Sequence, residues 1–129
     1  MTPEDRLDIL ELLARADDAA SRRDVEGYLS LFSEDASLEG DKGAHRGKDA
    51  LRAIVPKVWE GEGPATRHLT LNAVLNLQDG SPDLVLATST LLIVGAGTTP
   101  QLQSIATIAQ LIAKEAGTWR IRRRTVRLG

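Results

Sequence analysis

The chain has 129 residues, 42% of them hydrophobic and 26% charged, with a net charge of −2 and no cysteine. That suits a single domain over residues 1–129 with a core around one small pocket. It excludes disulfides and thiolate metal sites, and the charge gives no global pull toward nucleic acid. No apolar run approaches the roughly 18 residues needed to span a bilayer. The start, "MTPEDRLDIL", lacks the basic-then-apolar order of a secretory signal. A cytoplasmic protein without membrane contact is the expectation.

Thr2-Pro3-Glu4-Asp5 reads as a helix start, with a capping threonine, a proline in the first turn and acids suited to the helix dipole. The helix is predicted over Pro3 to Ser21. "DVEGYLSLF" is predicted as a second short helix capped by Asp24, and "SEDASLEG" as an exit into a short strand over Ala36 to Glu39. "GDKGAHRG" reads as a loop. "KDALRAIVPKVW" is a third helix that Pro56 should kink or end early. "EGEGPA" is a turn.

The period then changes. "TRHLTLNAVLNLQ" alternates, with Leu69, Leu71, Ala73, Leu75 and Leu77 on one side and His68, Thr70, Asn72, Val74 and Asn76 on the other. "DGSPD" is a turn, "LVLATSTLLIVG" a long strand and "AGTTP" a hairpin loop. "QLQSIATIAQLIA" fits helix or strand by pattern, and its β-branched residues and hairpin context favour strand. "KEAG" turns and "TWRIRRRTVRL" is the last strand. Helices first, then antiparallel strands, argue for an α+β domain with helices on one face of a curved sheet and a ligand cavity between them.

The stretch "ARADDAAS" sets two acids side by side at the end of the first helix. At about 100° per residue, Asp17 falls about 40° from Leu13, within the stripe marked by Ile9, Leu10, Ala16 and Ala20, whereas Asp18 falls about 140° away. Asp18 is thus a surface acid. A buried Asp17 needs a partner or a raised pKa. Either the helix end unwinds and Asp17 meets water, Arg22 or Arg23, or Asp17 faces the cavity.

His45 lies in the charged loop and is expected exposed. His68 lies on the polar face of the alternating strand, which is either pocket-lining, with the leucine face covered by a second subunit, or solvent-facing over a leucine core. Asp79, Asp83 and Glu115 fall in turns, so a cavity acid should come from the first helix or first strand, and Asp17 is the best placed. An Asp–His pair is a general base in which the carboxylate fixes the imidazole tautomer. Asn72 would project to the same side as His68, about 13 Å along the strand, as a substrate contact. No phosphate loop, zinc set or nucleophile triad is evident. The arginine run Arg120 to Arg127 reads as a solvated strand, with an inward Arg122 or Arg124 facing an anionic ligand as the minor alternative.

The chain resembles the SnoaL-like branch of the nuclear transport factor 2-like superfamily, through "ILELLARADDAASRRDVEGYLSLFSEDASLEG", "HRGKDALRAI", "TRHLTLNAVL" and "GTWRIRRRTV" in the family's order. The resemblance implies a cone-shaped α+β barrel, with three N-terminal helices packed against a strongly curved, mostly antiparallel mixed sheet. It also implies an internal pocket, no cofactor or metal, and a homodimer through the outer sheet face. Relatives include polyketide cyclases, ketosteroid isomerases and dehydratases, and others are non-catalytic. His68 with Asn72 matches the H-x-x-x-N pattern in which the histidine is the base. Ser21 stands where such relatives keep an aspartate, Ala16 where a tyrosine is frequent, and Gly40 where the ketosteroid isomerases place their base. Trp119 matches a structural tryptophan. Leu38, Ile54, Trp59 and Val74 are implied as pocket walls. Two functions follow as expectations: a lyase or isomerase acting on a hydrophobic, cyclic molecule through His68 and Asp17, or a non-catalytic ligand-binding or dimerisation module.

Overall fold

The computed structural model describes all 129 residues. Helix α1 runs Pro3–Ser21, α2 Val25–Leu29 and α3 Lys48–Gly61. The strands are β1 Phe32–Gly40, β2 Gly43–Arg46, β3 Thr66–Gln78, β4 Ser81–Gly95, β5 Gln101–Glu115 and β6 Thr118–Leu128. They form one sheet in the order β2-β1-β6-β5-β4-β3. Only β1 and β6 pair in parallel, as expected for a mixed, mostly antiparallel sheet. No helix is long and apolar enough to cross a membrane.

Local chemistry sets the helix ends. Thr2 Oγ1 accepts from the Asp5 backbone N–H and Asp5 Oδ2 accepts from that of Thr2, each at 3.0 Å, which closes a capping box over α1. Asp5 also accepts from Trp119 Nε1 at 3.2 Å, so the start of α1 is tied to β6. The Thr2 bonds, followed by those from Trp119 and Lys114, hold the Asp5 carboxyl well below the usual carboxylate range. Asp24 caps α2 through Gly27 N–H at 2.9 Å, and Phe32 already belongs to β1 rather than to that helix.

Two expectations change here. The loop around "GDKGAHRG" contains β2, paired antiparallel with β1. Helix α3 continues to Gly61 past Pro56, because its apolar stripe of Leu51, Val55 and Trp59 is buried and packing outweighs the lost backbone bond.

The core lies between the helices and the concave face of the sheet. Ile9, Leu13 and Ala16 of α1, Leu29 of α2, and Leu51 and Val55 of α3 meet Phe32, Val85, Ile112 and Ile121 of the strands. Each fully buried large side chain contributes about 1.5–3 kcal/mol. Leu10, expected within the buried stripe, is instead exposed, and Leu12 is buried.

The alternation in β3 is interrupted. Its register with β4 steps from Leu71↔Thr90 to Val74↔Thr88, so β3 holds one extra residue. Asn72, at φ 58°, absorbs it in the left-handed region that asparagine tolerates. Before the bulge, His68 and Thr66 are buried on the concave face while Leu69 and Leu71 are exposed. After it, Ala73 and Leu75 pack against the core and Val74 is exposed. The expected leucine face is therefore split between the two sides of the sheet.

Candidate active site

A cavity of about 270 Å³ opens on the concave face between α3, β1, β3 and β6. Leu38, Ile54, Val58, Trp59, Leu91 and Ile93 give it an apolar wall. Asp41, Lys42 and His45 of the β1–β2 hairpin also line it. His45 is only half-buried there, with Nε2 3.0 Å from the Lys42 carbonyl.

His68 enters the cavity wall from β3 and is 6% exposed. Its Nε2 lies 2.7 Å from Oε1 of Glu62, the residue that closes the C-terminus of α3. The same oxygen accepts from Thr66 Oγ1 at 3.3 Å and from Arg23 Nη1 at 3.4 Å. Arg23 is itself fixed, donating through Nη2 to Thr66 Oγ1 at 2.7 Å and to the Gly63 carbonyl at 2.8 Å. It also stands 5.9 Å over the Trp59 ring. An oxygen that receives three donors behaves as a carboxylate acceptor, so the hydrogen of the neutral imidazole belongs on Nε2. Nδ1 then carries the lone pair, and it has no partner within the protein.

Asp17 does face inward, as the helical spacing predicts, but not toward the imidazole. Its Oδ2 accepts from the Thr70 backbone N–H at 2.6 Å and its Oδ1 from the Thr70 hydroxyl at 3.0 Å. One turn later along α1, Ser21 Oγ accepts from the His68 backbone N–H at 2.9 Å. The spacing explains the match: four helical residues rise about 6 Å, close to the ~6.6 Å between alternate strand residues. Asp17 and Ser21 thus answer two amides on the open edge of β3. Burial pushes the Asp17 carboxyl up, opposed by the Arg124 charge, the Thr70 bonds and His68. Asp18 is a surface acid, paired with Arg22 at 3.0 Å.

Of the residues singled out in the sequence, the structure brings His68, Leu38, Ile54 and Trp59 to one cavity. Three assignments are corrected. Asp17 is the partner of Thr70, not of His68. Asn72 sits exposed on the bulge, and Val74, turned outward by that bulge, is 55% exposed, so neither reaches the cavity. Three polar residues that sequence reasoning left in minor roles or in a turn, Glu62, Tyr28 and Arg124, line it instead. A glutamate six residues before the strand histidine was the available signal for the first.

A family model described as a SnoaL-like domain matches residues 1–125. Among solved structures, the chain is similar to a protein of unknown function with a cystatin-like fold from Nostoc punctiforme. That match has 28% identity and a TM-score of 0.91, covering 100% of this chain and 94% of the other. A function-unknown protein from Mycobacterium tuberculosis matches at 25% identity and a TM-score of 0.87, covering 99% and 78%. ActVI-ORFA from Streptomyces coelicolor, at 19% identity, a TM-score of 0.84 and coverage of 95% and 96%, shares the fold. No curated protein matches the chain at a significant level.

Proposed function

The chain belongs to the SnoaL-like family, and from that premise we propose that it is a cofactor-independent lyase or isomerase acting by general-base catalysis on a small, largely apolar molecule. His68 is the base and Glu62 the residue that orients it. The observation that carries this reading is the 2.7 Å contact between His68 Nε2 and Glu62 Oε1 at the wall of an apolar cavity. With Nε2–H held by Glu62, Nδ1 is the atom available to take a proton from a carbon beside a carbonyl. Removal of that proton leaves an enolate, from which elimination, isomerisation or ring closure proceeds. Arg23 and Thr66 act through Glu62 and are positioning residues. The pocket walls keep water from competing for the carbanion-like intermediate.

Ser21 and Ala16 lack the acid and phenol frequent in enzymatic relatives, which by itself favours a binding module; in the catalytic reading Glu62, at the C-cap of α3, takes the place of that acid. We also propose that the protein is a homodimer through the outer sheet face, where Leu69, Leu71 and Ile105 are 41–49% exposed.

The test is deuterium exchange into 1-tetralone in heavy water, followed by NMR. The protein is expected to accelerate exchange at the carbon beside the carbonyl, and His68→Asn to abolish the acceleration, a loss of about 10²–10⁴-fold. Exchange no faster than buffer, or unchanged in His68→Asn, would leave a binding module and overturn general-base catalysis.

A further inference from the structure

Arg124 is 4% exposed. It reaches the cavity from β6 and has no carboxylate within 4.0 Å, its one hydrogen bond in the protein running from Nη1 to Gln110 Oε1 at 3.2 Å. A guanidinium is charged at every accessible pH, and burying one without an ionic partner is costly. Of the acids nearby, Asp17 is committed to both donors of Thr70 and Glu62 to His68, Thr66 and Arg23; Glu39 and the exposed Asp41 also line the cavity, at its β1–β2 rim, and neither pairs with Arg124.

The free donors point one way. The buried side-chain polar atoms sealed off without any partner are Ser89 Oγ and Gln110 Nε2. The unpaired nitrogens of Arg124 are therefore not sealed, and Arg124 is among the residues that line the cavity. The same holds for the hydroxyl of Tyr28, another residue that lines the cavity, which makes no hydrogen bond in the protein. Burial pushes the Tyr28 phenol up, so it stays a donor. Gln110, with no exposed surface, holds one end of the fork and leaves the other end presented.

We infer that the cavity is built for an apolar molecule bearing one carboxylate, received by the Arg124 guanidinium with the Tyr28 hydroxyl as a second donor. A permanent cation favours an anion present in the bound substrate, not only one that develops during reaction. The planar fork matches two carboxylate oxygens. The apolar walls take the rest of the molecule. This assignment rests on the cavity being the binding site proposed above, and it names the substrate class for that site.

The probes are 2-naphthoate and 2-acetylnaphthalene, equal in shape and different in charge, titrated calorimetrically into the intact protein. The acid is expected to bind at least tenfold more tightly than the ketone. In Arg124→Met that preference should vanish, the acid losing far more affinity than the ketone, and Arg124→Lys should restore part of it. Equal affinities in the wild-type protein, or a preference that survives Arg124→Met, overturn the carboxylate assignment and leave the apolar site standing. Binding of neither probe removes the site and the assignment together. If Arg124→Met does not fold by circular dichroism, the wild-type pair still decides, and Tyr28→Phe, expected to weaken the acid more than the ketone, adds a second reading. Deuterium exchange into 1-tetralone reports on His68 independently of all these outcomes.

Discussion

Replacing Glu62 by glutamine removes the charge that three donors share and keeps an oxygen in place. The His68 bond, at 2.7 Å, changes from charge-assisted to neutral, and the Arg23 contact, at 3.4 Å, loses its ion pair while the guanidinium keeps its charge. Hydrogen bonds to charged groups contribute about 1.5–3 kcal/mol and neutral ones about 0.5–1.5. The loss is therefore about 1 kcal/mol for the short His68 bond and less for the longer Arg23 bond, or about 1–2 kcal/mol in all. For a domain of this size that lowers Tm by about 3–8 °C, measured by differential scanning calorimetry. Glu62→Ala leaves Arg23 and His68 facing an empty site and should cost about 3–5 kcal/mol. The sharper readout is the imidazole itself. Two-bond 15N–1H correlation spectra of the wild-type protein should show His68 with its hydrogen on Nε2 and a bare Nδ1, and Glu62→Gln should slow exchange into 1-tetralone about ten- to a hundredfold. A wild-type His68 protonated on Nδ1 would refute the reasoning, because the base would then face Glu62 and not the ligand.

Three further outcomes follow from the geometry. The raised Asp17 carboxyl binds its proton more tightly in the folded chain than in the unfolded one. It therefore favours folding at low pH, and that contribution is lost as pH rises from the ordinary aspartate range through the raised value. Asp17→Asn should remove this part of the pH dependence in urea melts between pH 4 and 8, and an unaltered slope would contradict it. Asn72→Val, forcing a β-branched residue to positive φ, should cost about 1–3 kcal/mol by denaturant titration, with affinity for 2-acetylnaphthalene unchanged in the folded fraction. Asn72→Gly should be near neutral in stability. Leu69→Asp with Ile105→Asp should halve the mass seen by light scattering if the outer sheet face joins two copies, with the far-ultraviolet circular dichroism preserved.

The sequence was most legible in the limits of its elements. The limits of α1, β3 and β6 follow from capping and alternation, and the helical wheel separates inward Asp17 from outward Asp18. Legibility failed at two bulges. The extra residue at Asn72 turns Val74 outward and Leu75 inward. A shift between Leu111 and Ile112 of β5 against β6 lets both Ile121 and Arg124 face the core, although they are three residues apart. Strict alternation from Ile121 would have pointed Arg123 inward instead. Glu62 escaped for a different reason. A residue at a helix end has no periodic neighbour to fix its direction, and it is the Arg23 and Thr66 bonds, distant in sequence or set by the turn, that aim it at His68.

The pairing of α1 with the rim of β3 has a consequence for how copies of this chain meet. A terminal strand with vacant amides recruits other strands, and sheets then grow side by side. Here the stretch bearing His68 offers its N–H groups to Asp17 and Ser21, and the opposite rim is β2, only four residues long. Both ends of the sheet resist being used as templates, so polymerisation by strand addition is disfavoured. Asp17, though it buries an acid, occupies this rim beside the cavity and bonds to the strand's Thr70 rather than to the His68 ring.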